Sequence, residues 1–493
     1  MKHSICTILV LLLLSLVQGC YDLDIENKNT GNIDNILMDP QTFDGIVDEQ
    51  FRYLFLADND YYPLALSTMG DGLTTAWGGW DWGWIELSSE PRVAIKNNVV
   101  TFQERFIEEP WNNYYTIVNT VNDVLRQYAQ DPSISSQDSE GNDITYQVKA
   151  KAKFIQGAAY GSLSKLYDKA KIVDESIDIS KIDKIDFSPY YELADQAVQM
   201  LEQAITEANS GADFQIYAWN GLSISRDDFV KICRSFQAKI LVQNSRSDSE
   251  NNDADWSEIA AYAASGVSFD LAPHGDGGEN WYSNFLYQGN EAGWAKADMR
   301  LVSMLDPTQP TRFPTDGTMV LGEATFLDAR GDMYWNYEEA INFRPERGYY
   351  RFSHYVIVRY EYYYPEKTGL IPYFSETENN LILAEALIRS NGDKTQAASL
   401  VNETRVNIGG LSELTGSESD DDLLEALFHE RFIELLTTSP GTVYFDRRRL
   451  PEDNGIDYGS YTGLLPCTPR NIPIPADELE RLQLPLYTFG GCD

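Results

Sequence analysis

Basic residues are scarce: Lys and Arg number 38 against 76 Asp and Glu, a formal net charge of −38 over 493 residues. A nucleic-acid-binding surface needs cations to neutralise phosphates, so that class of function is excluded. Histidine is scarcer still, with four in the chain and one of them, His3, at its very start. That leaves little for a His-rich metal site or for more than one His-dependent triad. The five cysteines contain no Cys-x-x-Cys and no metal-ligand spacing. After residue 20 there is no apolar run of about 18 residues, the length a membrane-spanning helix requires. Gly-x-Ser-x-Gly, a P-loop, a strand-linked Gly-x-Gly-x-x-Gly and His-Glu-x-x-His are all missing. His429-Glu430 begins the last pattern, but Ile433 stands where the second histidine belongs.

What is present is globular. Apolar residues make up 43% and charged residues 23%, enough to build a large core without disorder. Aromatics reach 12%, with 30 Tyr and 10 Trp. At the N-terminus Lys2 and His3 precede an apolar run from Ile8 to Val17, followed by Gln18-Gly19-Cys20. A short basic start and a brief apolar stretch form a secretion signal. A small residue directly before cysteine resembles the lipobox of bacterial lipoproteins. The expected organisation is a signal peptide over 1–19, acylation of Cys20, a lipidated acidic tether over 20–36, and a single domain over 37–493. Several acyl chains on one residue anchor a protein firmly, whereas one chain binds only marginally.

Helical periodicity dominates the rest. Lys149–Tyr167 carries Ala152, Ile155, Ala159, Leu163 and Leu166 at helical spacing. Pro189–Ala208, with Ser188 as its expected cap, Arg226–Val242 and Asp255–Ala264 follow. Cys233 falls on the apolar stripe of Phe229, Phe236 and Ile240, as an inert core thiol. Glu378–Arg389 and Lys394–Val406 form a hairpin joined by Asn391-Gly392-Asp393, with Gly392 expected in the left-handed C-cap. Asp420–Leu436 is the last clear helix, its three aspartates at the positive end. The expected fold is mainly α, a tetratricopeptide-like helical-hairpin scaffold with minor β, although the strict 34-residue consensus is missing. Asp58–Val100 and Ser265–Pro372 are rich in Gly, Pro, Trp and Tyr and read as long functional loops, with a β-like run in Arg347–Tyr364.

Five stretches resemble the SusD/RagB family of outer-membrane nutrient-binding lipoproteins. They are Lys153–Tyr167, Tyr191–Ile205, Asn379–Ala386 with Gly392-Asp393 and Val401–Arg405, His429–Leu435 with Phe445–Arg448, and Arg470–Leu479. The tail departs from the family pattern, with Leu484-Pro485-Leu486-Tyr487 in place of Asn-Pro-Gly-Tyr. The resemblance implies a SusD-like fold that captures a glycan without catalysis. It also implies lipid anchoring in the outer membrane facing the cell surface, and delivery to a SusC-like TonB-dependent transporter. No cofactor, metal or nucleic acid is expected.

The candidate ligand residues are aromatic. Trp77, Trp80, Trp82 and Trp84 put four indoles into eight residues between glycines, too many for all to face inward. Trp281, Tyr282, Tyr287 and Trp294 form a second cluster, placed where the family's binding loops belong. Flat rings pack against the C–H faces of sugars. Trp335 and Tyr362-Tyr363-Tyr364 read as packing or strand residues. The acidic run Asp248–Asp255 reads as a solvated face or helix entry and not a calcium loop. With Cys233 in a helix core, Cys467 and Cys492 remain as a disulfide pair in an oxidising compartment. The strong negative charge favours a neutral ligand, with a β-glucan-like chain as the expectation. Two other functions stay open from sequence: a secreted glycoside hydrolase, and a helical-repeat scaffold for peptide or protein.

Overall fold

The structure is a computed structural model that describes residues 39–75, 87–98, 104–177, 184–290, 295–314, 320–339, 351–453 and 459–492. The signal and tether, with Cys20, lie outside these, as do Trp77, Trp80, Trp82, Trp84 and Trp294. The frame is built from helices α1 (Phe43–Asp58), α2 (Tyr62–Met69), α3 (Glu104–Gln130), α4 (Thr145–Leu166), α5 (Tyr190–Ala208) and α6 (Arg226–Asn244). It continues through α7 (Trp256–Ala264), α8 (Glu376–Arg389), α9 (Lys394–Arg405), α10 (Asp420–Thr438) and α11 (Thr442–Arg448). From α3 to α10 each helix packs on its neighbour in this order, as expected of a helical-hairpin array. Among the described residues no helix is long and apolar enough to cross a membrane.

Local chemistry explains most boundaries. Ser225, Ser375 and Ser419 accept hydrogen bonds from the third backbone N–H beyond them, at 3.1, 3.0 and 3.2 Å. Ser188 does not cap α5, because Ser188-Pro189 pairs as a short strand with Lys169-Ala170. In the α8–α9 turn the left-handed residue is Asn391 (φ 55°), not Gly392. Gly392 is needed for space instead, since a Cβ there would lie 3.2 Å from the Leu387 carbonyl oxygen. On α4, a Cβ at Gly157 would sit 2.7 Å from Leu201 Cγ, and one at Gly161 2.4 Å from Ile240 Cδ1. These two glycines let α5 and α6 approach α4 closely.

Four helices of the frame, α1, α2, α3 and α11, fall outside the sequence reading. In α1, Phe43, Val47, Phe51, Leu54 and Phe55 are buried on one stripe, and α2 is buried all round, so it shows no amphipathic period. Helix α2 lies inside Asp58–Val100, which is therefore only partly loop. The long Ser265–Pro372 stretch contains short strands: β2 (His274–Asp276), β3 (Ala295–Ala297), β4 (Trp335–Tyr337), β5 (Tyr355–Ile357) and β6 (Thr368–Leu370). Strand β3 pairs antiparallel with β1 (Leu73–Thr75), β4 with β5, and β2 with β6. Among the described residues of the β-like run, Tyr355–Ile357 is strand. Asp248–Asp253 forms a short helix capped by Ser247.

Among the described residues seven arginines are fully buried: Arg300, Arg330, Arg351, Arg431, Arg447, Arg448 and Arg449. Each faces carboxylates or carbonyls. Arg449 holds Glu385 through 2.6 and 2.7 Å bonds, and Arg431 holds Asp446 at 2.7 and 2.9 Å. Arg447 joins Asp71 and Asp453, and Arg330 joins Asp328 and Glu430. The His429–Leu435 and Phe445–Arg448 stretches thus each contribute acids and bases to an internal ionic lattice and meet through Arg431 and Asp446.

A small inner cavity of about 30 Å³ lies between α1, α2, α4 and α6, lined by Asp58, Tyr62, Ser162, Lys165, Lys239 and Tyr373 among others. Asp58 accepts hydrogen bonds there from Tyr114 (2.5 Å), Tyr373 (2.7 Å) and Ser162 (3.1 Å). Burial, aided by the nearby Lys239 charge, pushes the Lys165 amine down to about 8. Between about pH 8 and the ordinary lysine range the unfolded chain therefore binds more protons, so this group makes stability rise with pH there. Lys165→Met is expected to melt higher than wild type at pH 7, with the gap narrowing by pH 10. Thermal melts across that range check it, and a gap that widens would contradict the assignment.

Candidate functional site

A groove of about 720 Å³ opens at the C-terminal end of α1 and along α3. Its walls carry three phenols (Tyr53, Tyr61, Tyr282), four carboxamides (Gln50, Asn59, Asn113, Asn284), Thr116 and Thr120, and the carboxylates of Asp60 and Glu279. The chain at the α1 terminus serves both cavities, with Asn59 lining each. Asp58 and Tyr62 line the inner cavity, while Asp60 and Tyr61 line the groove. Asn284 donates to Asp60 at 2.7 Å, fixing the carboxylate. Burial still pushes the Asp60 carboxyl up, against the opposing pull of that bond and of Arg105. Arg105 lies 4.9 Å from the Tyr61 ring centre, and Tyr53 is 45% exposed with Arg52 at 4.4 Å from its ring.

Tyr282 belongs to a ring cluster that continues the groove wall. Its ring lies 5.7 Å from Tyr287, which lies 5.0 Å from Tyr364. Lys367 Nζ sits 4.5 and 5.1 Å from the Tyr282 and Tyr287 ring centres. Beneath them Tyr363 is buried, its hydroxyl accepting from the Ser283 N–H at 2.8 Å. Tyr282 and Tyr287 are half-buried.

Trp281 needs correction. It is only 9% exposed and packs 5.1 Å from Phe55 in the core, so it supports the groove from behind and offers no ligand surface. Trp335 is buried, and so is Tyr363, as read from sequence, but Tyr362 is 52% exposed. Trp77, Trp80, Trp82, Trp84 and Trp294 lie outside the described residues. Their flanks are informative: Thr75 pairs with Ala295 in the ladder of Leu73–Thr75 with β3. The residues preceding the 76–86 segment and following the 291–294 segment are therefore neighbours at one end of one ladder.

Groove residues such as Tyr53, Tyr61, Asn113 and Asn284 escaped sequence reading. Helical spacing of Asn113, Thr116 and Thr120 was the available signal, but a polar stripe on a helix is usually plain solvent-facing surface.

The lining chemistry suits a binding role. Phenols and carboxamides supply flat apolar faces and paired donors and acceptors. His429 does stand between Asp328 (3.0 Å) and Ser460 (3.5 Å), the residue types of a hydrolytic triad. Yet Ser460 is only 8% exposed, Asp328 is already bound twice by Arg330, and the serine contact is long. That trio is part of the ionic lattice. Among the described residues no group of three or more His, Cys, Asp or Glu is gathered to hold a metal. Cys467 and Cys492, which are not among the groove's lining residues, are joined, with Cα atoms 5.3 Å apart. Cys233 is buried and free, burial pushing its thiol up.

No family model matches the chain, and no curated protein matches its sequence. Solved structures do. A SusD-like protein from Bacteroides fragilis superimposes with TM-score 0.63 at 14% identity, covering 93% of this chain and 98% of its own. A SusD superfamily protein from Parabacteroides distasonis gives TM-score 0.62 at 12% identity, covering 94% and 100%. Surface glycan-binding protein A from Bacteroides uniformis gives 0.57 at 15% identity, covering 89% and 97%. Agreement over nine-tenths of both chains, at identities this low, is agreement of fold, and the chain has the fold of the SusD-like proteins.

Proposed function

We propose that the protein captures an oligosaccharide or polysaccharide at the cell surface without cleaving it. The observation that carries this reading is the groove of about 720 Å³, walled by tyrosines and carboxamides, with Tyr282 common to the groove and the ring cluster. Support comes from the solved structures with this fold, which include a surface glycan-binding protein and a SusD-like carbohydrate-binding protein. The Trp77–Trp84 segment and Trp294 add the rings expected of a sugar platform. With a net charge of −38, a uronate or sulfated polymer would meet a repulsive field close in, so the ligand is a neutral glycan, β-glucan-like in this reading. The captured chain passes to a SusC-like TonB-dependent transporter.

A native affinity-gel panel across plant, algal and microbial polysaccharides tests the ligand class. Retardation by a neutral glucan is expected. Retardation by acidic polymers alone would overturn the ligand assignment.

The anchor is the lipid on Cys20, which holds the protein in the outer membrane. Cys20→Ala is expected to move the protein from the membrane to the soluble fraction in fractionated cells. Unchanged membrane retention would contradict it.

A further inference from the structure

We propose that Lys367 is a positioning residue that locks the tyrosine wall of the groove. The inference rests on the glycan-binding reading for its functional consequence, but its structural basis is independent of it. Lys367 takes the left-handed backbone conformation at φ 55°, which a long side chain adopts only at a cost. Surrounding bonds hold it there. Its N–H donates to the Tyr363 carbonyl at 2.7 Å, and its carbonyl accepts from the Gly277 N–H at 3.0 Å. Gly275, opposite Gly369 in the β2–β6 ladder, leaves room for this fold, since a Cβ there would lie 2.5 Å from the Lys367 oxygen.

The strained backbone aims the side chain at two rings. Nζ lies within cation–π range of both Tyr282 and Tyr287, at 4.5 and 5.1 Å from their centres. Among the described residues Lys367 forms no ion pair, although the protein carries twice as many acids as bases. A surface lysine that only needed a counter-charge would find one easily here. Its partners are instead the ring that lines the groove and the ring behind it. Fixing both restricts Tyr282 to one orientation before ligand arrives, which lowers the ordering cost of binding.

The test uses the full chain labelled with 3-fluorotyrosine, the Tyr282 resonance being assigned by its loss in Tyr282→Phe. Lys367→Met is expected to shift and narrow that resonance while leaving the melting temperature unchanged, and Lys367→Arg to restore it. Maltoheptaose, cellohexaose and laminarihexaose serve as binding probes. Lys367→Met should weaken the probe bound best by wild type about fivefold, with Lys367→Arg recovering most of it. An unchanged resonance with unchanged affinity, or an Arg variant as weak as Met, would overturn the proposal. If wild type binds no glycan at all, the capture reading fails, and the resonance alone still decides the role of Lys367.

Discussion

Glu385→Ala is expected to destabilise the fold by about 3–5 kcal/mol, more than any surface substitution. Glu385 is fully buried on α8 and accepts from Arg449 (2.6 and 2.7 Å) and Arg389 (2.8 Å). Its removal strips the buried Arg449 guanidinium of a bidentate partner, leaving Asp446 at 2.9 Å to balance it. Losing one member of a buried pair is costly because the remaining charge stays desolvated. The pH dependence follows. Burial alone would push the Glu385 carboxyl up, but Arg449 and Arg389 outweigh it and hold the group at about 2. A depressed carboxylate contributes stability that is present above its unfolded value near 4.5 and is lost as pH falls toward 2. Urea melts should therefore show a gap between wild type and Glu385→Gln that is full at pH 7 and shrinks below about pH 4.5. A gap that stays constant down to pH 2.5 would contradict the lattice.

The second large effect is on ligand. Substituting Trp77, Trp80, Trp82 and Trp84 one at a time with Ala should weaken glycan binding about tenfold or more for each ring that touches sugar. A few aromatic anchors dominate interfaces of this kind, and two or more such rings are expected among the four. A ring that serves ligand contributes little to the fold, so the melting temperature should not move. Calorimetry with the best glycan from the gel panel checks it. Wild-type affinity in all four variants would move the site away from this segment and onto the Tyr61–Tyr282 groove alone.

Sequence periodicity was a good guide where one helix face is buried and the other wet. The spans of α4 to α10 were legible for that reason, to within a few residues at their ends. It failed for α2, whose every residue is buried, and for Trp281, whose neighbourhood of Gly, Asp and Tyr looks like a ligand loop but whose indole rests on Phe55. Aromatic density cannot distinguish a ring that faces ligand from one that supports it. The groove itself was hidden because its residues come from α1, α3 and residues 279–284, the last more than 200 positions beyond α1. The ionic lattice was hidden for a similar reason: Arg449 meets Glu385 across 64 residues, and Arg447 meets Asp71 across 376. Motif resemblance marked both stretches without saying that Arg431 of one meets Asp446 of the other. Cys467 and Cys492 were the exception, since elimination left no other partner for either.

The central claim is capture without cleavage, and one titration tests it most directly. Wild-type protein is titrated calorimetrically with the glycan that retards it on the gel, and the same mixture is then assayed for new reducing ends after prolonged incubation. Saturable binding with no increase in reducing ends is the predicted result. Release of reducing ends in step with protein concentration, abolished when Asp60 or Glu279 is replaced by its amide, would contradict the account and make the groove a hydrolase site.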